Sequence, residues 1–75
     1  METHDFAFAL RLLRQGKKVA REGWNGKGMW ICIQVPNFNS KMSLAYIYMK
    51  TACNNQVPWL ASQTDLLAED WEEVI

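Results

Sequence analysis

The stretch Val57-Pro58-Trp59-Leu60-Ala61-Ser62-Gln63-Thr64-Asp65-Leu66-Leu67-Ala68-Glu69-Asp70-Trp71 constrains the fold more than any other part of the chain. Pro58 pushes Val57 out of the helical region, so Val57-Pro58-Trp59 is extended. Ser62 has a carboxylate three residues on, Asp65, which approaches a capping box with the shorter acid in place of Glu. Leu66-Leu67-Ala68 then allows an apolar turn or two. Asp70 to Ile75 reads as a final strand, with Trp71 and Glu73 on one face and Glu72 and Val74 on the other. Trp59 and Trp71 therefore bracket a helix N-terminus rich in hydroxyl and amide groups. Backbone N–H groups point outward at such ends and can meet a small ligand. Either Trp can instead be a core anchor. That is the stronger reading for Trp71, because large aromatics dominate the buried area of a small core. For Trp59 both readings stand.

The chain before this stretch alternates clear signals. Asp5 is a good N-cap for Phe6 to Gln15, and Gly16 follows at the C-terminal cap position. Phe6, Ala9, Leu10 and Leu13 make an i, i+3, i+4, i+7 stripe, with Leu12 at its border and Phe8 at its edge. Arg14, Lys17 and Lys18 suit the negative end of this helix. Lys17 to Arg21 is a short strand, and Glu22 to Gly28 a glycine-rich loop with an Asn25-Gly26 turn signal. Met29 to Val35 is the clearest strand: Met29, Ile31, Ile33 and Val35 share one face, Trp30, Cys32 and Gln34 the other. Leu44 to Lys50 is another strand, and Asn54-Asn55 turns the chain back into Gln56-Val57. These elements predict an α+β fold: a small antiparallel β-sheet with an N-terminal helix packed on one face and a short helix before the last strand. Residues 1–75 make a single domain. One helix covers one face only. Trp30, Tyr46 and Tyr48 on the other are too much aromatic surface to leave wet, which points to a homo-oligomer.

With 75 residues the core is small, and nothing staples it. His4 is the one histidine and Cys32 and Cys53 the two cysteines, too few for a structural zinc and well apart, as reduced cytosolic thiols are. Glu2 and Asp5 stand where a signal peptide would be basic, and no apolar run approaches the roughly 18 residues of a membrane span. A cytoplasmic chain without a membrane partner is expected. Net charge is zero but lopsided. Residues 1–50 hold eight Lys and Arg against three acids, +5, and residues 51–75 hold five acids and neither Lys nor Arg, −5. Mutual neutralisation in the fold or across subunits is expected, which disfavours a nucleic-acid polymer as partner.

No triad or Cys-His nucleophile is convincing with one His at the start of the chain. The acids Glu69-Asp70 and Glu72-Glu73 are adjacent and read as a solvated rim. Gly23 to Gly28 lacks the spacing and the Ser or Thr of a phosphate-binding P-loop. What remains is a binding kit. Trp24 sits on a glycine loop, where an aromatic is costly unless it stacks on something. Asn25, Ser62, Gln63 and Thr64 offer neutral hydrogen bonds, and Lys18, Arg21 and Lys27 offer charge for phosphate. Stacking with polar groups and cations is what a nucleotide needs.

Gly16 to Met29, GKKVAREGWNGKGM, and Val57 to Trp71 closely resemble the phage and prophage family that includes the second type of Thoeris anti-defence protein. With the leading amphipathic helix, the resemblance covers nearly the whole chain. It implies a sponge, not an enzyme, that needs no cofactor. Such proteins sequester the cyclic ADP-ribose isomer made by the TIR-domain sensor of bacterial Thoeris defence. It also implies a homotetramer with pockets between subunits and, in some members, a separate site for cyclic dinucleotides. Carried onto this sequence, Trp24 stacks on the base. Phe6, Asn25, Trp59 and Ser62-Gln63-Thr64-Asp65 line the pocket, and Arg21 meets phosphate. The segment from Val35 to Leu44 is short where many relatives carry a proline-rich insertion. A cyclic dinucleotide sponge and a protein-binding or structural phage module are the alternatives.

Overall fold

The structure is a computed structural model that describes residues 4–24 and 27–75. Asn25, a predicted ligand contact, lies outside the described residues, as does the predicted turn it forms with Gly26. The order is helix α1 (Phe6–Arg14), strands β1 (Lys18–Arg21), β2 (Trp30–Gln34), β3 (Tyr46–Lys50) and β4 (Gln56–Pro58), helix α2 (Gln63–Leu67) and strand β5 (Trp71–Val74). This is the predicted α+β arrangement, with the strands trimmed at their ends. Leu44 and Ala45 fall outside β3, and Leu44 is 78% exposed.

Both helices start where a side chain can satisfy the first free amides. Asp5 accepts from the Phe8 amide at 3.0 Å. Gly16 ends α1 at φ +84°, which a glycine adopts without cost. The amides of Gly16 and Lys17 then return to the carbonyls of Leu13 and Leu12 at 3.0 and 3.1 Å, closing a Schellman turn. At α2 the capping box is complete: Ser62 Oγ accepts from the Asp65 amide at 3.1 Å and Asp65 Oδ2 from the Ser62 amide at 3.2 Å.

The five strands are all antiparallel, in the order β4-β3-β2-β1-β5. The first four form a meander. The chain then crosses back through α2, and β5 docks on the far edge beside β1, with Arg21 opposite Trp71. The pleat divides the residues. Val19, Arg21, Ile31, Ile33, Ile47, Met49 and Trp71 face α1, while Lys18, Trp30, Cys32, Tyr46 and Tyr48 lie on the open side. The core is Ala9 and Leu13 of α1 against Val19, Ile31 and Trp71 of the sheet, all essentially without solvent contact. On the open face Trp30 meets Tyr48 edge-on at 6.0 Å, and the Lys18 ammonium sits 4.7 Å from the Trp30 ring centre. Burial and the neighbouring Cys32 thiol raise the Tyr48 hydroxyl's pKa above its ordinary value. The short β4 carries Pro58 at the sheet edge, where a missing N–H costs no ladder bond. Among the described residues no helix is long and apolar enough to cross a membrane.

Candidate functional site

Trp71 is the hub of the candidate site. It is fully buried, and its indole N–H donates to the Asp65 carbonyl at 3.1 Å. Three further aromatics surround it. Phe6 of α1 approaches edge-on at 5.5 Å, Trp24 at 5.4 Å and Trp59 at 6.1 Å, while Phe6 and Trp59 stack on each other at 6.0 Å. These four come from four segments: α1, the turn after β1, the segment after β4, and β5. Trp59 is held there because its amide donates to the Ile47 carbonyl at 3.0 Å, beyond the end of the β3–β4 ladder. Trp24 and Trp59 are each half-buried, so each packs on the core and still shows a face to solvent. The stacking partner that Trp24 needs is thus supplied, edge-on, by Trp71 of the same chain.

A charged network rims this cluster. Arg21 donates from Nε to Asp70 Oδ1 at 2.8 Å and from Nη1 to Asp65 Oδ1 at 2.9 Å. Asp65 Oδ1 also accepts the Trp24 indole N–H at 3.2 Å, and Asp70 Oδ2 the Gly23 amide at 2.7 Å. The three side chains are largely shielded, at 16% exposure for Arg21, 13% for Asp65 and 28% for Asp70. The hydrogen bonds that Arg21 donates to Asp70 first, and then to Asp65, raise its pKa. Burial pushes Asp65 up, but Arg21, Trp24 and the cap at Ser62 together hold it below the usual carboxylate range. Asp70 is held low chiefly by Arg21, against a smaller burial effect, with help from the Gly23 amide. Both acids are therefore ionised at neutral pH, and the triad carries one net negative charge.

Phe6, Arg21, Trp24, Trp59 and Asp65, all predicted site residues, thus converge on one corner of the molecule. Ser62 joins it through the cap that fixes Asp65, while Gln63 and Thr64 lie exposed on the first turn of α2. One reading needs correction. Asp70 is not part of a solvated rim, because the β1–β5 pairing sets it just beyond the Arg21–Trp71 register, within reach of two donors. Glu69 and Glu72 are exposed, and Glu73 makes a surface ion pair with Lys17 at 3.6 Å. Beside the cluster runs an open groove of about 320 Å³ lined by Arg21, Glu22, Trp24, Lys27, Trp30 and Glu72 among others. Lys27 is the exposed cation of that groove.

The two motifs that build this corner fall within a wider match. The model of the Tad2-like family, described as a Thoeris anti-defense 2-like domain, matches residues 4–74. The chain belongs to the Thoeris anti-defense 2-like family. It is 38% identical over 82 residues to Thoeris anti-defense 2 of Bacillus phage SP01, covering 92% of this chain and 92% of that protein. In this member of the Thoeris anti-defense 2-like family, Asp70 is the network residue that sequence reasoning missed. Its signal was present only as an acid beside Trp71. Giving it a partner required the strand pairing, which brings Arg21 and Asp70 together across 49 residues.

Proposed function

We propose that this chain is a phage anti-Thoeris protein that binds the cyclic ADP-ribose isomer made by Thoeris TIR proteins and holds it without cleavage. The observation that carries this reading is the convergence of Phe6, Trp24 and Trp59 around Trp71, in a chain of the Thoeris anti-defense 2-like family. Half-buried indoles on a rigid hub offer stacking surface at little ordering cost, and stacking on aromatic side chains is worth about 1–3 kcal/mol per base. Asp65 and Asp70 are paired with Arg21 and held ionised, which suits them to structural ties better than to proton transfer near neutral pH. That supports a sponge over an enzyme.

Arg21 donates to two carboxylates, so a phosphate approaching it meets a triad of net negative charge. Lys27, in the same groove as Trp24, is the better placed cation for a diphosphate. Asp65 Oδ1 accepts from Arg21 and Trp24, while Oδ2 accepts from the Ser62 amide and has a lone pair left for a ribose hydroxyl, beside Phe6, Trp24, Trp59 and the exposed Gln63 and Thr64. The open sheet face, with Trp30, Tyr46 and Tyr48, is the surface on which a second subunit packs in a homo-oligomer, a tetramer by family resemblance, and there it would cover the groove that Trp24, Lys27 and Trp30 line. The site of action is the cytoplasm of the host bacterium.

The test is to mix the protein with the product of a Thoeris TIR enzyme, filter, and heat the retained protein. The filtrate should fail to activate the Thoeris effector, and the heated fraction should activate it again. A retained but cleaved nucleotide would replace the sponge with an enzyme. A filtrate of full activity makes a cyclic dinucleotide the next ligand to try.

A further inference from the structure

We propose that Asp70 is the positioning residue of this site: it holds the Gly23-Trp24 corner, and with it the Trp24 ring, in place before ligand arrives. The inference rests on the reading of Trp24 as a ligand contact. Asp70 grips the corner from two directions. Its backbone carbonyl accepts the Glu22 amide at 3.1 Å, and its carboxylate accepts the Gly23 amide at 2.7 Å. The other carboxylate oxygen takes Arg21 Nε at 2.8 Å, and Arg21 reaches on to Asp65, which holds the Trp24 indole. The Trp24 amide returns to the Arg21 carbonyl at 3.2 Å, so the corner is closed on the strand that Asp70 anchors.

The fit at Gly23 is close. A Cβ at this position would lie 2.9 Å from Asp70 Oδ2, so a side chain there would force the carboxylate to shift from its place on the amide. Each oxygen of Asp70 already accepts from a donor of its own chain, and the role assigned to Asp70 acts through Trp24. Gly23 is exposed, and water competes for its amide once the carboxylate is lost. The ring would then be correctly placed for only part of the time, and the apparent affinity falls by that fraction.

The experiment uses the full chain, Asp70→Asn and Gly23→Ala, with Lys17→Ala as a control that breaks a surface pair away from the corner. The carboxamide of Asp70→Asn keeps the shape but accepts through one oxygen only and presents N–H groups to the other donor. Gly23→Ala attacks the same contact from the opposite side and leaves all three charged groups in place. Hydrogen exchange of the Gly23 amide and the tryptophan indoles is followed by NMR without ligand. Affinity for the Thoeris TIR product is measured by calorimetry at a temperature where each variant is folded.

In both variants the amide of residue 23 and the Trp24 indole should lose protection, while the Trp71 indole, bonded to the Asp65 carbonyl, keeps it. Affinity should fall about tenfold or more, which corresponds to a corner in place one tenth of the time. Saturating ligand should restore protection at the Trp24 indole. Unchanged protection in both variants overturns the proposal, and so does lost protection with unchanged affinity. A wild-type protein that fails to bind the probe overturns the sponge reading instead, and the exchange data then decide the tether alone.

Discussion

Replacing Trp71 with Ala should be the most damaging single change in this chain. The side chain is fully buried, is packed edge-on by Phe6, Trp24 and Trp59, and donates to the Asp65 carbonyl. Truncating a buried Trp costs about 3–5 kcal/mol. A domain of 75 residues has roughly 4–11 kcal/mol of total stability, at 0.05–0.15 kcal/mol per residue. The loss is therefore between about a quarter and all of what holds the fold. At about 4–8 °C per kcal/mol for a chain of this size, the midpoint should drop by more than about 12 °C. Trp71→Phe keeps an aromatic ring in the hub and loses the indole N–H. It should cost less, about 1–3 kcal/mol, because the Asp65 carbonyl loses the indole donor and keeps only the longer bond from the Ala68 amide at 3.4 Å. Thermal and urea unfolding followed by circular dichroism, at one fixed protomer concentration, measure both. Phe38→Ala, at a ring 95% exposed, is the comparison for simple loss of an aromatic. A Trp71→Ala midpoint within a few degrees of wild type, or a drop no larger than that of Phe38→Ala, would refute the hub.

Trp24→Ala should separate binding from folding: it removes a half-buried ring and the bond to Asp65, so stability falls by less than in Trp71→Ala while capture of the TIR product is lost. Acid should expose the charged rim. The folded carboxyls of Asp65 and Asp70 lie below their unfolded value near 3.9, so their contribution is complete above about pH 5 and is lost as pH falls through the folded values. The melting temperature should be flat from pH 7 to 5 on this account and fall below about pH 4, and Asp70→Asn should shrink that fall. Ser62→Ala removes the acceptor of the Asp65 amide and should cost about 1 kcal/mol in urea unfolding, since the box also fixes Asp65. Light scattering coupled to size exclusion at micromolar concentration should show a species larger than a monomer; a clean monomer would remove the model in which two subunits close the pocket.

Local chemistry alone determined the elements of this protein. Asp5 and Gly16 bound the first helix, and Ser62 with Asp65 starts the second, because each satisfies backbone groups within three or four residues of itself. The alternation of Met29 to Val35 and the turn at Asn54 mark strands by the same short-range logic. The long paired motifs likewise marked the family, and they named most of the residues that meet at the aromatic hub. What only the tertiary structure decided is the use of charge and the assignment of faces. The acids of the last third look alike in sequence, yet Asp70 is tied to Arg21 and Gly23 while Glu72 faces solvent. Arg21 reads in sequence only as a cation, and it is the β1–β5 register that puts two carboxylates on it. Trp24 reads in sequence as a ring on a flexible loop, and only the fold sets one of its edges against Trp71 at 5.4 Å while leaving it half-buried. The physical reason is that ion pairing and ring packing depend on distances of a few ångströms between residues more than forty positions apart. No periodicity encodes those distances; the return of the last strand to the edge beside the first creates them.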